Sequence, residues 1–410
     1  MTTPTTGTTS PATRVPAGWV AVLTLANIAT FVAFFGPLQV LLPLRAEELS
    51  PTGKEATLAL VTGVGAAVSM VANPLFGALS DRTRSRFGRR VPWVAGGALG
   101  GAFGLTLLAL VPGTAGLVLS WCVVQASVNA ALAGIMAAIP DVVPVEQRAV
   151  VGGFVNLGQT LGVLIGVGLA LAVGGIRGGF VACAVFLLIA VVPYLRNSRD
   201  TPYAVAPDWV GWARFLRGFW VSPRAHPDFA LAWATKFLVH LGNAIVTLYL
   251  LYYLSDEVGL EDAESRLFVA IGLYSVIVAI SAIVAGRWSD RVQRRRVFAV
   301  GAGFVIAAAS LTLAAWPTWT GTLVAASLLG VGFGAFVAVD LAIVTEVLPD
   351  PDARGKDLGV VNIANALPQV LAPVIAAPLV TQAGYPTLYT VAAVIGLIGS
   401  TAVWRIRSVP

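Results

Sequence analysis

Apolar residues run along this chain in twelve long stretches, separated by short segments that hold nearly all of its charge. The stretches lie near 18–44, 55–79, 91–112, 115–140, 149–173 and 178–195, then near 228–254, 264–286, 297–315, 319–348, 358–382 and 385–404. Each is close to the roughly 20 residues that an α-helix needs to cross a bilayer. The pattern predicts an all-α integral membrane protein of twelve transmembrane helices. Residues 1–17, rich in Thr and Pro, read as a disordered tail. The first stretch is too long for the apolar core of a signal peptide, and no small-residue cleavage site follows it.

Composition agrees. The chain is 57% hydrophobic and 11% charged, less than half the charge of an average soluble domain, which is about 25%. A net charge of +6 could point to nucleic acid, but the distribution points to a membrane. With both termini on one side, 21 of the 26 Lys and Arg fall on that side, four on the other, and Lys236 inside an apolar run. The positive-inside rule makes the rich side cytoplasmic, with both termini there. Cys122 and Cys183 lie inside apolar runs and read as small fillers. Neither a metal site nor a cofactor site is expected, and no hydrolase or ATP-binding motif is present in the sequence.

The two halves repeat. Phe76–Val91 (FGALSDRTRSRFGRRV) matches Ala285–Val297 (AGRWSDRVQRRRV), each between a second and a third apolar run. Pro140–Gly158 matches Thr345–Asn365, each joining a fourth run to a fifth. Asp81 thus aligns with Asp290, Asp141 with Glu346, and Asn156 with Asn362. The expected organisation is a six-helix bundle over 18–195, a cytoplasmic linker over 196–227, and a second bundle over 228–405. In the linker, Trp209, Trp212, Leu216 and Phe219 have helical spacing. They read either as an interfacial amphipathic helix or as chance aromatics on an irregular strand of chain.

Twelve runs, a six-plus-six repeat, and Gly77–Arg82 (GALSDR) after the second run resemble the major facilitator superfamily over residues 18–405. The longer loop motif, Ser80–Trp93 (SDRTRSRFGRRVPW), is also similar to the sucrose–proton carriers and the glycoside–pentoside–hexuronide cation symporters. The resemblance implies a transporter working by alternating access, with the cavity lined by spans one, four, seven and ten. It also implies an inner gate built from Asp81, Arg82, Arg89, Arg90 and Asp141 in the first half and Asp290, Arg291 and Glu346 in the second. Gly77 and Gly286 would let helices approach closely at that gate. The other reading is that the arginines only fix topology and bind anionic headgroups.

Ionisable residues in a membrane are expensive, so those present must face a cavity or another helix. Lys236, His240, Asn243 and Thr247 fall on one face of span seven. Asp340 on span ten lies nine residues before Pro349, and Lys236 nine after Pro227. Both are then roughly 13 Å deep at 1.5 Å per residue. A Lys236–Asp340 pair with His240 one turn above is expected, either as a static strut or as a proton-coupling switch. Asn27, Phe31 and Phe34 on span one, Gln125 and Asn129 on span four, and Tyr249, Tyr252 and Tyr253 at the end of span seven suit a hydroxylated ligand such as a sugar. Each amide could equally make a helix–helix hydrogen bond. Pro368, Pro373 and Pro378 are expected to kink span eleven.

The sequence therefore favours a non-enzymatic, proton-coupled symporter of a sugar-like solute in the cytoplasmic membrane, self-contained as a monomer, with the lipid bilayer, the small solute and protons as partners. A proton-coupled exporter of drugs or metabolites shares the same fold. A non-transporting membrane sensor is the reading of a different class. Two departures matter. The early spans lack the membrane carboxylates that the cation-coupled sugar carriers use. Span five lacks the proline of the Gly-Pro motif common in drug antiporters.

Overall fold

The computed structural model describes residues 14–198, 200, 222–347 and 354–406. The expected amphipathic linker helix lies outside the described residues, and so do the side chains of Asn156, Asp290 and Asn362. Every regular element of the described chain is a helix. Its first half comprises α1 (Ala17–Gly36), α2 (Lys54–Arg82), α3 (Val91–Leu110), α4 (Gly113–Val142), α5 (Val145–Ala172) and α6 (Ile176–Arg196). Its second half comprises α7 (Pro227–Leu248), α8 (Ala263–Val292), α9 (Arg295–Ala315), α10 (Trp319–Glu346) and α11 (Arg354–Ala402).

Among the described residues, eleven helices are long and apolar enough to cross a membrane. The last, with 49 residues, contains Gly384 at φ 78° and ψ 173°. Only glycine adopts that conformation without strain, and it turns one continuous helix into two crossings. The expected twelve spans are therefore present. The dihedral break falls at Gly384 rather than at Pro368, Pro373 or Pro378.

The two halves pack alike. In the first, α1 lies against α5 and α6, and α4 against α2 and α3. In the second, α7 lies against α11, and α10 against α8 and α9. The halves meet where α2 packs on α11 and α5 on α8, the two contacts that the internal repeat relates to each other. Spans one and seven both leave the regular α-helix through a five-residue π-turn, Pro37–Leu41 and Tyr253–Glu257. Such turns often mark functional positions. A short helix, Leu42–Leu49, extends span one.

Lipid tails give little hydrophobic drive between helices, so close backbone packing carries the association. A Cβ on Gly36 would lie 2.7 Å from the Gly166 carbonyl, and one on Gly65 2.2 Å from the Trp121 ring. Gly77 and Gly286, expected to play that part, do not. A Cβ at Gly77 would meet nothing within 4 Å, and one at Gly286 would make an ordinary 3.7 Å contact with Ala338.

Candidate functional site

The stripe on α7 resolves into three contacts. Lys236 Nζ donates to Asp340 Oδ2 of α10, and the two residues are only 7% and 6% exposed. One turn on, His240 Nδ1 is 2.8 Å from the Lys236 carbonyl. That carbonyl can only accept, so Nδ1 carries a proton. The imidazole packs edge-on to Phe333 and Phe336, at 5.4 and 6.0 Å between ring centres. A further turn along, Asn243 Oδ1 accepts from Tyr274 of α8 at 3.1 Å. Thr247 closes the stripe by donating to the Asn243 carbonyl. It borders a void of about 20 Å³ inside the second half, together with Tyr274 and Leu329. That is room for one water.

The amides expected to face a sugar are committed to neighbouring helices. Asn27 Nδ2 donates to the Val155 carbonyl of α5 at 2.8 Å, while its Oδ1 is buried without a partner. Asn129 Nδ2 donates to Ser69 Oγ of α2 and to the Gln125 carbonyl, both at 2.8 Å. Asn73 donates to Asn129 Oδ1 at 3.3 Å, and Gln125 is itself buried beside this cluster. Phe31 stacks on Phe35, and Phe34 sits between Phe35 and Trp121. The Phe31 backbone and Cβ lie against Gly162.

At the arginine-rich end, Arg89 and Arg90 are buried and converge on Asp141, at 2.5 and 2.9 Å. Arg90 also reaches Asp81 and Ser80, both at 2.5 Å. Asp81 therefore meets Arg90 of the far side of the loop, and the outer arginines form the cluster rather than decorate it. Burial works against the Arg90 charge, but its bonds to Asp141 and the charges of Asp81 and Asp141 win, so its pKa is raised. Asp200 caps α3 by accepting from the Arg90 and Val91 backbone N–H groups. Trp93 Nε1 donates to Thr83 at 2.6 Å and pins the loop across itself. In the second half Glu346 pairs with Arg295 of the α9 first turn. Arg291 is exposed on the last turn of α8, and Asp290 falls outside the described side chains.

A second charged cluster, absent from the sequence reading, lies at the opposite end and joins the halves. Lys54 Nζ, at the start of α2, pairs with Asp256 beyond α7 at 2.8 Å and with Glu47 at 3.1 Å. It also sits 4.7 Å over the Tyr252 ring. Tyr385 donates to the other Asp256 oxygen at 2.9 Å. Tyr252 OH donates to the Pro43 carbonyl at 2.7 Å, and Tyr249 OH to the Glu55 carbonyl at 3.2 Å. Tyr249 and Tyr252, expected to touch solute, thus bridge the halves instead, while Tyr253 OH donates to the Leu313 carbonyl within the second half at 2.8 Å. Acids and bases scattered over short loops give no periodic signal; only the tyrosine cluster hinted at this site.

A groove of about 620 Å³ between α3, α5 and α6, lined by Leu110, Leu169, Val185, Ile189 and one charged residue, Arg177, is largely apolar and shares no residue with either cluster or with the Lys236–Asp340 pair. It suits lipid, not a polar solute.

The sequence profile of the Major Facilitator Superfamily matches residues 23–261 and 232–410. The multidrug resistance protein MdtL of Vibrio parahaemolyticus is 31% identical over 164 residues, 40% of this chain and 41% of that protein. The match to these relatives thus spans about two fifths of their length. The ectoine/proline transporter ProP of Corynebacterium glutamicum is 24% identical over 373 residues, 79% of this chain and 71% of that protein. Among solved structures, a point mutant of the nucleoside transporter NupG superposes with a TM-score of 0.75 at 15% identity, over 95% of this chain and 99% of that one. A bacterial homologue of the human lysosomal transporter Spinster, in an inward-facing and unoccupied conformation, gives 0.70 at 15% identity, over 96% and 98%. These two likenesses carry the fold alone.

Proposed function

This chain belongs to the major facilitator superfamily and is a multi-pass transporter of the cell membrane, and from that premise we propose that it couples a small polar solute to protons through Lys236 and Asp340. The observation that carries this reading is a buried Lys–Asp pair joining two helices of the second half. Removing one charge from such a pair strands the other, at a cost of about 3–5 kcal/mol. Protonating Asp340 does that reversibly. The pair can therefore bias a two-state equilibrium, because its energy differs between the states.

In the proposed orientation, the arginine-rich end lies in the cytoplasm. The Lys54–Asp256 cluster is then an external latch, and the conformation with that latch made is inward-facing. The Arg90–Asp81–Asp141 cluster is the inner element of the first half.

Asp340→Asn tests the coupling. In proteoliposomes it should abolish gradient-driven accumulation of solute while sparing exchange down a concentration ratio. Unchanged accumulation overturns the proposal. A sugar is the less supported solute, because Asn27, Asn129 and Asn243 are engaged by other helices. Proton-coupled export is the second reading, favoured by the likeness to MdtL. It uses the same pair with the solute moving against the proton.

A further inference from the structure

Resting on the coupling role proposed above, we infer that the solute carries a carboxylate, which replaces Asp340 on Lys236 when Asp340 is protonated. Lys236 Nζ has three donor positions and meets one carboxylate, Asp340. Neither neighbour on the stripe can take over. His240 turns Nδ1 to the Lys236 carbonyl and packs its ring between Phe333 and Phe336. Asn243 is held by Tyr274. Among the described side chains, the other charged groups on the elements around the pair lie toward the helix ends: Asp228 begins α7, Glu264 and Arg266 begin α8 and Arg287 and Arg291 lie near its end, Arg295 and Arg296 begin α9, Glu346 ends α10 paired with Arg295, and Arg405 follows α11. Val360, Ala392, Gly396 and Gly399 are among the α11 residues that meet α7, and none of these titrates.

A proton arriving on the Asp340 carboxylate converts a neutral pair into an ammonium beside a neutral acid. The site then carries one uncompensated positive charge in a low-dielectric setting. A neutral solute leaves that charge in place, and a cationic one doubles it. A carboxylate restores the sum to zero and forms a charge-assisted hydrogen bond, roughly twice as strong as a neutral one. One proton and one carboxylate thus enter together and no net charge is added to the site. Phe333 and Phe336 pack against His240, one turn from Lys236, and make that neighbourhood apolar.

The test is thermal unfolding of the purified full chain against matched probes: acetate to decanoate, benzoate and proline, each beside its carboxamide, with benzylamine as the cation. A ligand that binds only the folded state raises the midpoint. At about pH 5.5 at least one carboxylate should bind roughly tenfold or more tightly than its amide, with a smaller preference at about pH 8. Asp340→Asn should keep the preference at both pH values, because residue 340 then carries no negative charge and Lys236 is left uncompensated at either pH. Lys236→Met should lose it. The double variant Lys236→Met with Asp340→Asn removes both charges, so a folded double variant without the preference separates lost recognition from lost folding. Amides or benzylamine binding as tightly as carboxylates overturns the inference, and so does the absence of any carboxylate shift in both wild type and Asp340→Asn. A carboxylate preference insensitive to pH and to Asp340→Asn keeps the anion site but removes the proton-coupling reading. Accumulation of a neutral solute that Asp340→Asn abolishes does the reverse.

Discussion

Replacing Lys54 with methionine should loosen the external latch and little else. Methionine keeps much of the aliphatic stem that lies on Tyr252, so packing is largely retained. The variant loses the 2.8 Å ion pair that crosses between the halves and the cation–π contact at 4.7 Å. The Lys54 side chain is 10% exposed, but that of Asp256 is 32% exposed. The pair is therefore screened and contributes about 1 kcal/mol. The ring contact adds about 0.5–1 kcal/mol. Both act across the halves only while the latch is made. Their loss should move the equilibrium away from the closed external face by roughly tenfold to thirtyfold. Spin labels at Ala115 and Thr320, exposed near the external ends of α4 and α10, report that face by electron–electron distance measurement. In a background lacking Cys122 and Cys183, wild type should give a dominant short distance, and Lys54→Met should transfer population to a longer one. An unchanged distribution would show that the cluster does not hold the external face shut.

Three further outcomes follow from the same contacts. Arg90→Gln should lower stability in detergent by about 1–2 kcal/mol by unfolding midpoint: its carboxylate partners Asp141 and Asp81 are 20% and 51% exposed, well short of a fully buried pair. Lys236→Met alone should cost about 3–5 kcal/mol, and adding Asp340→Asn should recover most of it, a coupling that a double-mutant cycle reads directly. Gly65→Ala should destabilise by about 1–3 kcal/mol, because its Cβ would overlap the fully buried Trp121 ring at 2.2 Å; a neutral effect would mean that α2 and α4 can move apart freely.

What the sequence made legible follows its regularities. Twelve apolar runs and two repeated loops give the topology because lipid demands helices, and because basic residues mark one face. The Lys236–Asp340 contact was legible because depth can be counted from the helix ends. Its partners, 104 residues apart, sit at matching counts. Hydrogen-bond direction was not legible. Asn27, Asn129 and Asn243 look the same in sequence whether they face a solute or another helix, and only the positions of Val155, Ser69 and Tyr274 decide it. The external latch joins residues 202 positions apart through loops without period. Gly77 sits in a motif that implies close packing, yet its neighbour is too distant to be met.

The central claim is that Asp340 is the group through which protons move the conformational equilibrium. Its most direct test needs no solute: the Ala115–Thr320 distance distribution of the doubly labelled protein, followed from about pH 5 to about pH 8 in wild type and in Asp340→Asn. The account predicts that the populations shift with pH in wild type and do not respond to pH in Asp340→Asn. A pH response of the same size in both proteins would contradict it.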